Sequence, residues 1–209
     1  MVIDSVRKLR TRYVVQAGGE VFQVPGPLYR ERPLQEGEEL DIEEYDQWLL
    51  TRQYRPALEY AVSLLAQRPF ARQELWDRLR RIGYRPAVCD MALYKLERHG
   101  LMDDTDFARR WAASRAGRKL GPHRIRQELS RKGVSREDAD EALSALDEDG
   151  FLASAVQLAD RALRRGKPGE DPRRRDQRVL AMLARRGYSF DLARRALLQA
   201  RAGAETDDL

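Results

Sequence analysis

A short pattern that occurs three times limits the fold of this chain more than any other feature. Leu79-Arg80-Arg81-Ile82-Gly83-Tyr84 returns as Leu129-Ser130-Arg131-Lys132-Gly133-Val134 and again as Leu183-Ala184-Arg185-Arg186-Gly187-Tyr188. The glycines stand 50 and then 54 residues apart. Four residues before each leucine is another apolar residue (Leu75, Ile125, Val179), and ten after each glycine comes Leu93, Leu143 or Leu197. Self-similarity at this period marks one supersecondary unit copied in tandem.

Each part of the unit has a physical reading. An apolar pair at i, i+4 buries one face of a helix. Glycine after it takes the left-handed C′ conformation, and the basic residue before it suits the negative helix end. Pro86, Ser135 and Asp191 then lie where the next helix starts, as first-turn or capping residues. A further helix precedes each pair, over 56–67, 104–117 and 151–166. Three helices in each of three units predict a mainly α chain, an elongated, curved helical array. Phe107 with Trp111, and Leu58 with Val62 and Leu65, face its core.

Before Pro56 the pattern differs. Arg12-Tyr13-Val14-Val15 and Glu20-Val21-Phe22-Gln23-Val24 read as strands joined at Gly18-Gly19, a β-hairpin. Pro25-Gly26-Pro27 ends it, and Asp41 caps a short acidic helix carrying Tyr45, Trp48 and Leu49. Arg7, Lys8, Arg10 and Arg12 read as a solvated strand face, with contact to nucleic acid as the alternative. The expected divisions are 1–54 for this module, 55–103, 104–150 and 151–202 for the repeats, and a disordered acidic tail over 203–209.

Charge separates the two parts. Residues 1–54 hold 7 basic and 10 acidic side chains, and residues 55–209 hold 32 and 24. Of the 39 basic residues 34 are arginine. The guanidinium fork grips phosphate and carboxylate oxygens in pairs, although a genome rich in G and C also favours arginine. Between 109 and 132 lie nine basic residues (Arg109, Arg110, Arg115, Arg118, Lys119, Arg124, Arg126, Arg131, Lys132) against Glu128 alone. Such an excess points to an anionic partner, DNA phosphate or an acidic protein surface. The backbone amides of the turn between Gly117 and Gly121 offer a further approach for an anion. A second basic stretch, 161–178, includes Arg173, Arg174 and Arg175 and reads equally as a second contact or a flexible loop.

Enzyme chemistry finds little support. Gly166-Lys167-Pro168-Gly169 lacks the spacing and hydroxyl of a phosphate loop. Asp103 and Asp104 precede a helix and cap it. His123 is a surface histidine, and Cys89 shares a helical side with Leu93 and Leu96, which marks packed core. Two histidines and one cysteine supply no Cys/His zinc site, and no cofactor is expected. The longest nearly apolar run, 60–66, is far shorter than a membrane span. With no export signal after Met1 and no disulfide pair, a cytoplasmic chain is expected.

Leu101-Met102-Asp103-Asp104-Thr105-Asp106-Phe107-Ala108, followed by Gly121-Pro122-His123-Arg124-Ile125-Arg126-Gln127-Glu128-Leu129 and Lys132-Gly133-Val134, resembles the central signature of the RecX family, bacterial regulators of the RecA recombinase. Arg72-Gln73-Glu74-Leu75 and Gly83-Tyr84 match in the first repeat. The resemblance covers about 57–200 and departs most in the third repeat, where 166–172 lengthens a connection. It implies three tandem three-helix repeats and a non-enzymatic modulator. Such a protein lies in the groove of the RecA–DNA filament and restrains ATP hydrolysis, strand exchange and coprotease activity, with roles in recombination, DNA repair and the SOS response. The expected partners are the RecA filament and single- and double-stranded DNA, with the chain acting as a monomer. The alternative from the residues alone is a helix-turn-helix transcription regulator, since short helices paired around a glycine also fit that motif.

Overall fold

Three strands open the chain, β1 (Ile3–Lys8), β2 (Arg12–Ala17) and β3 (Glu20–Pro25), antiparallel in the order β1-β2-β3. Gly18 and Gly19 join β2 to β3 with φ of 56° and 84°, the left-handed pair that a two-residue hairpin loop requires. The sheet exceeds the expected hairpin by one strand. Strand β1 pairs Val6 with Val15 and carries a bulge between Ile3 and Ser5, and its polar residues Ser5, Arg7 and Lys8 mask its period of two. Ile3, Val15, Phe22 and Val24 form a core with Leu28 of α1 (Gly26–Glu31), Leu34, Leu40, Tyr45 and Leu49.

The computed structural model describes residues 1–166 and 170–207. Helix α2 (Ile42–Leu65) corrects the division expected at residue 54. Asp41 caps it as read from the sequence, its carboxylate accepting from the Glu44 amide at 3.0 Å, but the helix then continues through Pro56. Its buried stripe explains why. Tyr45, Leu49, Gln53, Ala57, Ala61 and Leu64 recur at intervals of three or four, so one face is buried along the whole length. Pro56 lies on the exposed side, where water can satisfy the carbonyl that loses its partner. The first half of α2 packs on the sheet, and the second half joins Leu75, Leu79, Val88, Leu93 and Leu96 of α3 (Arg72–Ile82) and α4 (Pro86–Arg98). Sheet module and first repeat thus form one compact unit, Met1–Asp103. Within it the buried Gln53 accepts from the Arg85 amide at 2.8 Å. Arg12, expected on a solvated face, donates to the Arg81 carbonyl.

The second unit, Asp104–Leu209, holds α5 (Asp104–Gly117), α6 (Pro122–Arg131), α7 (Arg136–Ser144), α8 (Glu148–Arg164), α9 (Pro172–Arg185) and α10 (Phe190–Asp207). The repeat pattern has the expected consequence. Leu75 and Leu79, Ile125 and Leu129, and Val179 and Leu183 are all fully buried. Gly83, Gly133 and Gly187 have φ of 105°, 79° and 89°. Ser135 caps α7 through the Asp138 amide, and Asp191 lies in the first turn of α10 as expected, the cap itself being Ser189, whose hydroxyl accepts from the Leu192 amide at 3.2 Å. Cys89 is fully buried in the first repeat, and burial pushes its thiol up to about 12.

The tail differs from the expectation of disorder as far as Asp207, where α10 ends. Once a helix is established each further residue adds a hydrogen bond, and Ala200, Arg201 and Ala202 are strong helix formers. Residues 208–209, and the Lys167-Pro168-Gly169 part of the lengthened connection, lie outside the described residues. Among the described residues no helix is long and apolar enough to cross a membrane.

Candidate nucleic-acid interface

The nine basic residues of 109–132 occupy α5, α6 and the turns after them, and folding brings carboxylates to five of them. Arg110 pairs with Asp106 at 2.9 Å and Arg109 with Glu141 of α7. Glu128 takes both Arg115 at 2.7 Å and Arg124 at 3.4 Å. Arg126 meets Asp140 at 2.7 Å. That hydrogen bond, with Arg136 adding to it and desolvation opposing, holds the Asp140 carboxyl below the usual carboxylate range. The local charge is therefore well below the excess in the sequence, because Asp106, Asp140 and Glu141 come from outside 109–132. Asp106 was legible as the i, i+4 partner of Arg110; Asp140 and Glu141 reach the cluster only through the packing of α7.

Two of the nine cations, one of them the Arg115 already paired with Glu128, sit on an aromatic side chain. The Arg115 guanidinium lies 3.9 Å and the Lys132 ammonium 4.3 Å from the centre of the Trp111 ring, within range for cation–π attraction. Phe107 stacks below, ring centres 5.7 Å apart. Phe107 is buried, as expected of a core residue. Trp111 is only partly buried and serves as a platform that fixes Arg115 and Lys132.

The turn between α5 and α6 works differently from its expected role. The amides of Arg118, Lys119 and Leu120 donate to the last carbonyls of α5, and that of Gly121 to the Arg186 carbonyl at 2.9 Å. They are spent on capping and on joining the second and third repeats, and do not form an anion cradle. At this joint the backbones of Gly121 and Gly187 touch. A Cβ on Gly121 would lie 2.4 Å from the Gly187 carbonyl, and one on Gly187 would lie 2.3 Å from the Arg124 Cβ. The turn's carbonyls accept in turn, Lys119 from the Tyr188 hydroxyl at 3.1 Å and from Arg186 at 3.4 Å. The side chains of the turn point outward from this scaffold. Arg118 is exposed and has no carboxylate partner among the described residues, and Lys119 donates to the neutral Gln157 amide oxygen of α8.

Arg131 is likewise exposed and unpaired among the described residues, at the far end of α6. Arg173, Arg174 and Arg175 lie in the first turn of α9 and not in a loop. Arg175 is 3.9 Å from Glu170, while Arg173 and Arg174 are exposed. Cations at a helix N-terminus oppose the macrodipole, so their placement is not one that helix stability selects. His123 is exposed and lines a cavity of about 560 Å³ with Arg126, Asp140, Leu143, Phe151 and Leu192. Among the described residues no three His, Cys, Asp or Glu side chains gather as a metal site.

Comparison with known proteins gives these features a context. Three family descriptions match in order along the chain: the first three-helix domain of RecX at 57–96, the second at 103–143 and the third at 148–197. The regulatory protein RecX of Mycobacterium ulcerans is 41% identical over 131 residues, spanning 62% of this chain and 76% of that protein. Its counterpart in Chromohalobacter salexigens is 38% identical over 140 residues, 67% of this chain and 90% of the other. Among solved structures, a crystal structure of regulatory protein RecX superposes with a TM-score of 0.63 at 25% identity, covering 91% of this chain and 96% of that one. RecX from Lactobacillus salivarius shares the fold with a TM-score of 0.65 at 22% identity, covering 74% and 97%.

Proposed function

This chain belongs to the RecX family of regulatory proteins, and we propose that it regulates the RecA recombinase by binding the RecA–DNA filament. It restrains ATP hydrolysis, strand exchange and coprotease activity, and does so as a cytoplasmic, non-enzymatic protein without a cofactor. The observation that carries this function is the run of three RecX domains in family order, which together span 57–197. Charge supports it independently: the part of the chain after residue 54 has 32 basic side chains against 24 acidic, as a ligand of nucleic acid requires. Three copies of one unit suit repeated contacts along a periodic partner better than a single reading head.

The test is the ATPase rate of RecA on single-stranded DNA as this protein is titrated in. A saturable fall in rate is expected. An unchanged rate, with preference for one duplex sequence, would instead describe a helix-turn-helix transcription regulator.

A further inference from the structure

We infer that the nucleic-acid backbone is held by the turn between α5 and α6 together with the neighbouring face of α8, through Arg118, Lys119, Arg161, Arg165 and Arg186, and not by the ion-paired arginines of 109–132. This deepens the proposed function by assigning its DNA contact, and it rests on that function.

Four observations converge on this surface. First, carboxylates do not neutralise it. Arg118, Arg161 and Arg165 are exposed and unpaired among the described residues, while Lys119 and Arg186 bond only neutral carbonyl oxygens. The nearest acid on α8, Asp160, is taken by Arg164 at 2.8 Å. The sequence cluster is the reverse case, with five of its arginines committed to acids of the same unit. A cation already neutralised adds little to the field that attracts a polyanion, and releases few counterions when it binds.

Second, the five cations are brought together by the packing of the turn. The Lys119 ammonium on Gln157 sets the turn against α8. Gln157, Arg161 and Arg165 follow at i, i+4 and i+8 on that helix's exposed side, so the two arginines lie about 6 and 12 Å further along its axis. Arg186 places its guanidinium against the Arg118 and Lys119 carbonyls, 3.4 Å from each. The result is a group of cations that continues from the turn along α8, which suits a strand carrying a phosphate at every nucleotide.

Third, the turn is held in an uncommon conformation. Lys119 has φ of 58° and is the one non-glycine residue with positive φ among those described. A residue with a Cβ is strained there as glycine would not be. The Tyr188 and Arg186 hydrogen bonds hold the Lys119 carbonyl in this conformation, and its ammonium meets Gln157 of α8. Fourth, the surface lacks an apolar centre. Among the described residues none of the large exposed apolar side chains lies on α5, the turn or α8. A protein partner needs a buried apolar core to its contact; a phosphate backbone does not.

The experiment compares two triple variants of the full chain, R118S/R161S/R165S and R109S/R110S/R126S. Affinity for a labelled single-stranded oligonucleotide of mixed sequence is measured over a series of NaCl concentrations, and RecA ATPase inhibition is measured on the same samples. The first triple should flatten the log–log salt slope by about 2, or roughly 0.7 for each phosphate that is no longer neutralised, and the second should leave the slope at the wild-type value. An unchanged slope in the first triple, or an equal or larger flattening in the second, overturns the inference. So does a first triple that binds DNA normally but no longer inhibits RecA, since the surface would then face acidic protein. Wild-type protein that binds DNA with these slopes yet never inhibits RecA would refute the proposed function and leave the DNA surface standing.

Discussion

Three glycines separate the two physical demands that glycine meets in this chain. Gly100 has φ of 64° with open space where a Cβ would stand, so Gly100→Ala carries only the cost of left-handed backbone, about 1–2 kcal/mol. Gly121 has φ of −81°, open to any residue, but its Cβ would lie 2.4 Å from the Gly187 carbonyl and 2.5 Å from the Tyr188 nitrogen. These are backbone atoms that no rotamer change can clear, so Gly121→Ala should cost about 1–3 kcal/mol by overpacking. Gly187 bears both demands, with φ of 89° and a Cβ 2.3 Å from that of Arg124, and Gly187→Ala should cost about 2–5 kcal/mol. Urea unfolding followed by circular dichroism gives the three values. Amide hydrogen exchange localises them, because the amides of Gly121 and His123 donate to the Arg186 and Gly187 carbonyls and should lose protection in Gly187→Ala but not in Gly100→Ala. Since Gly121 and Gly187 meet at one joint, the double variant should be less destabilised than the sum of the singles. A Gly187→Ala protein no less stable than Gly100→Ala would refute the close approach of the two repeats there.

Stability should also fall in alkali, since burial pushes Cys89, Tyr45, Tyr84 and Tyr188 up to about 12. Groups raised in the folded chain favour it fully below their unfolded values, so the loss should begin above about pH 9 and grow towards pH 12; a flat urea midpoint across that range would contradict it. At about pH 8 the same burial should leave Cys89 unreactive to a thiol reagent until the chain is unfolded, and immediate modification of native protein would show the thiol to be accessible. Pro56→Ala restores a donor inside α2, on its exposed side. It should raise stability by about 1–3 kcal/mol, and a lower urea midpoint would mean that α2 is not one continuous helix.

What the sequence disclosed depended on how far apart the cooperating residues lie. The pairs Leu75 and Leu79, Ile125 and Leu129, and Val179 and Leu183 are local, and so are the glycines that follow, and both the helices and their left-handed ends are where the spacing places them. Strand β1 was not legible because only Ile3 and Val6 mark it, and its partner face is completed by Leu40 and Tyr45 from well beyond the hairpin. Pro56 suggested a boundary because proline is judged by its own backbone, whereas the i, i+4 stripe from Tyr45 to Ala61 decides whether the helix survives it. At the candidate interface the basic residues were legible but their state was not. Glu141 reaches Arg109 from 32 residues away, and Gln157 reaches Lys119 from 38. A run of sequence registers charge; only packing separates a neutralised arginine from one still available to phosphate.

The central claim, action on the recombinase filament and not on DNA alone, is tested most directly by co-sedimentation. RecA filaments are assembled on single-stranded DNA with a slowly hydrolysed ATP analogue and pelleted with increasing amounts of this protein, beside matched samples of DNA alone and RecA alone. The protein should pellet with the filament saturably and at concentrations where neither component alone retains it. Equal retention by bare DNA and by the filament would contradict filament recognition and leave only a nucleic-acid-binding protein.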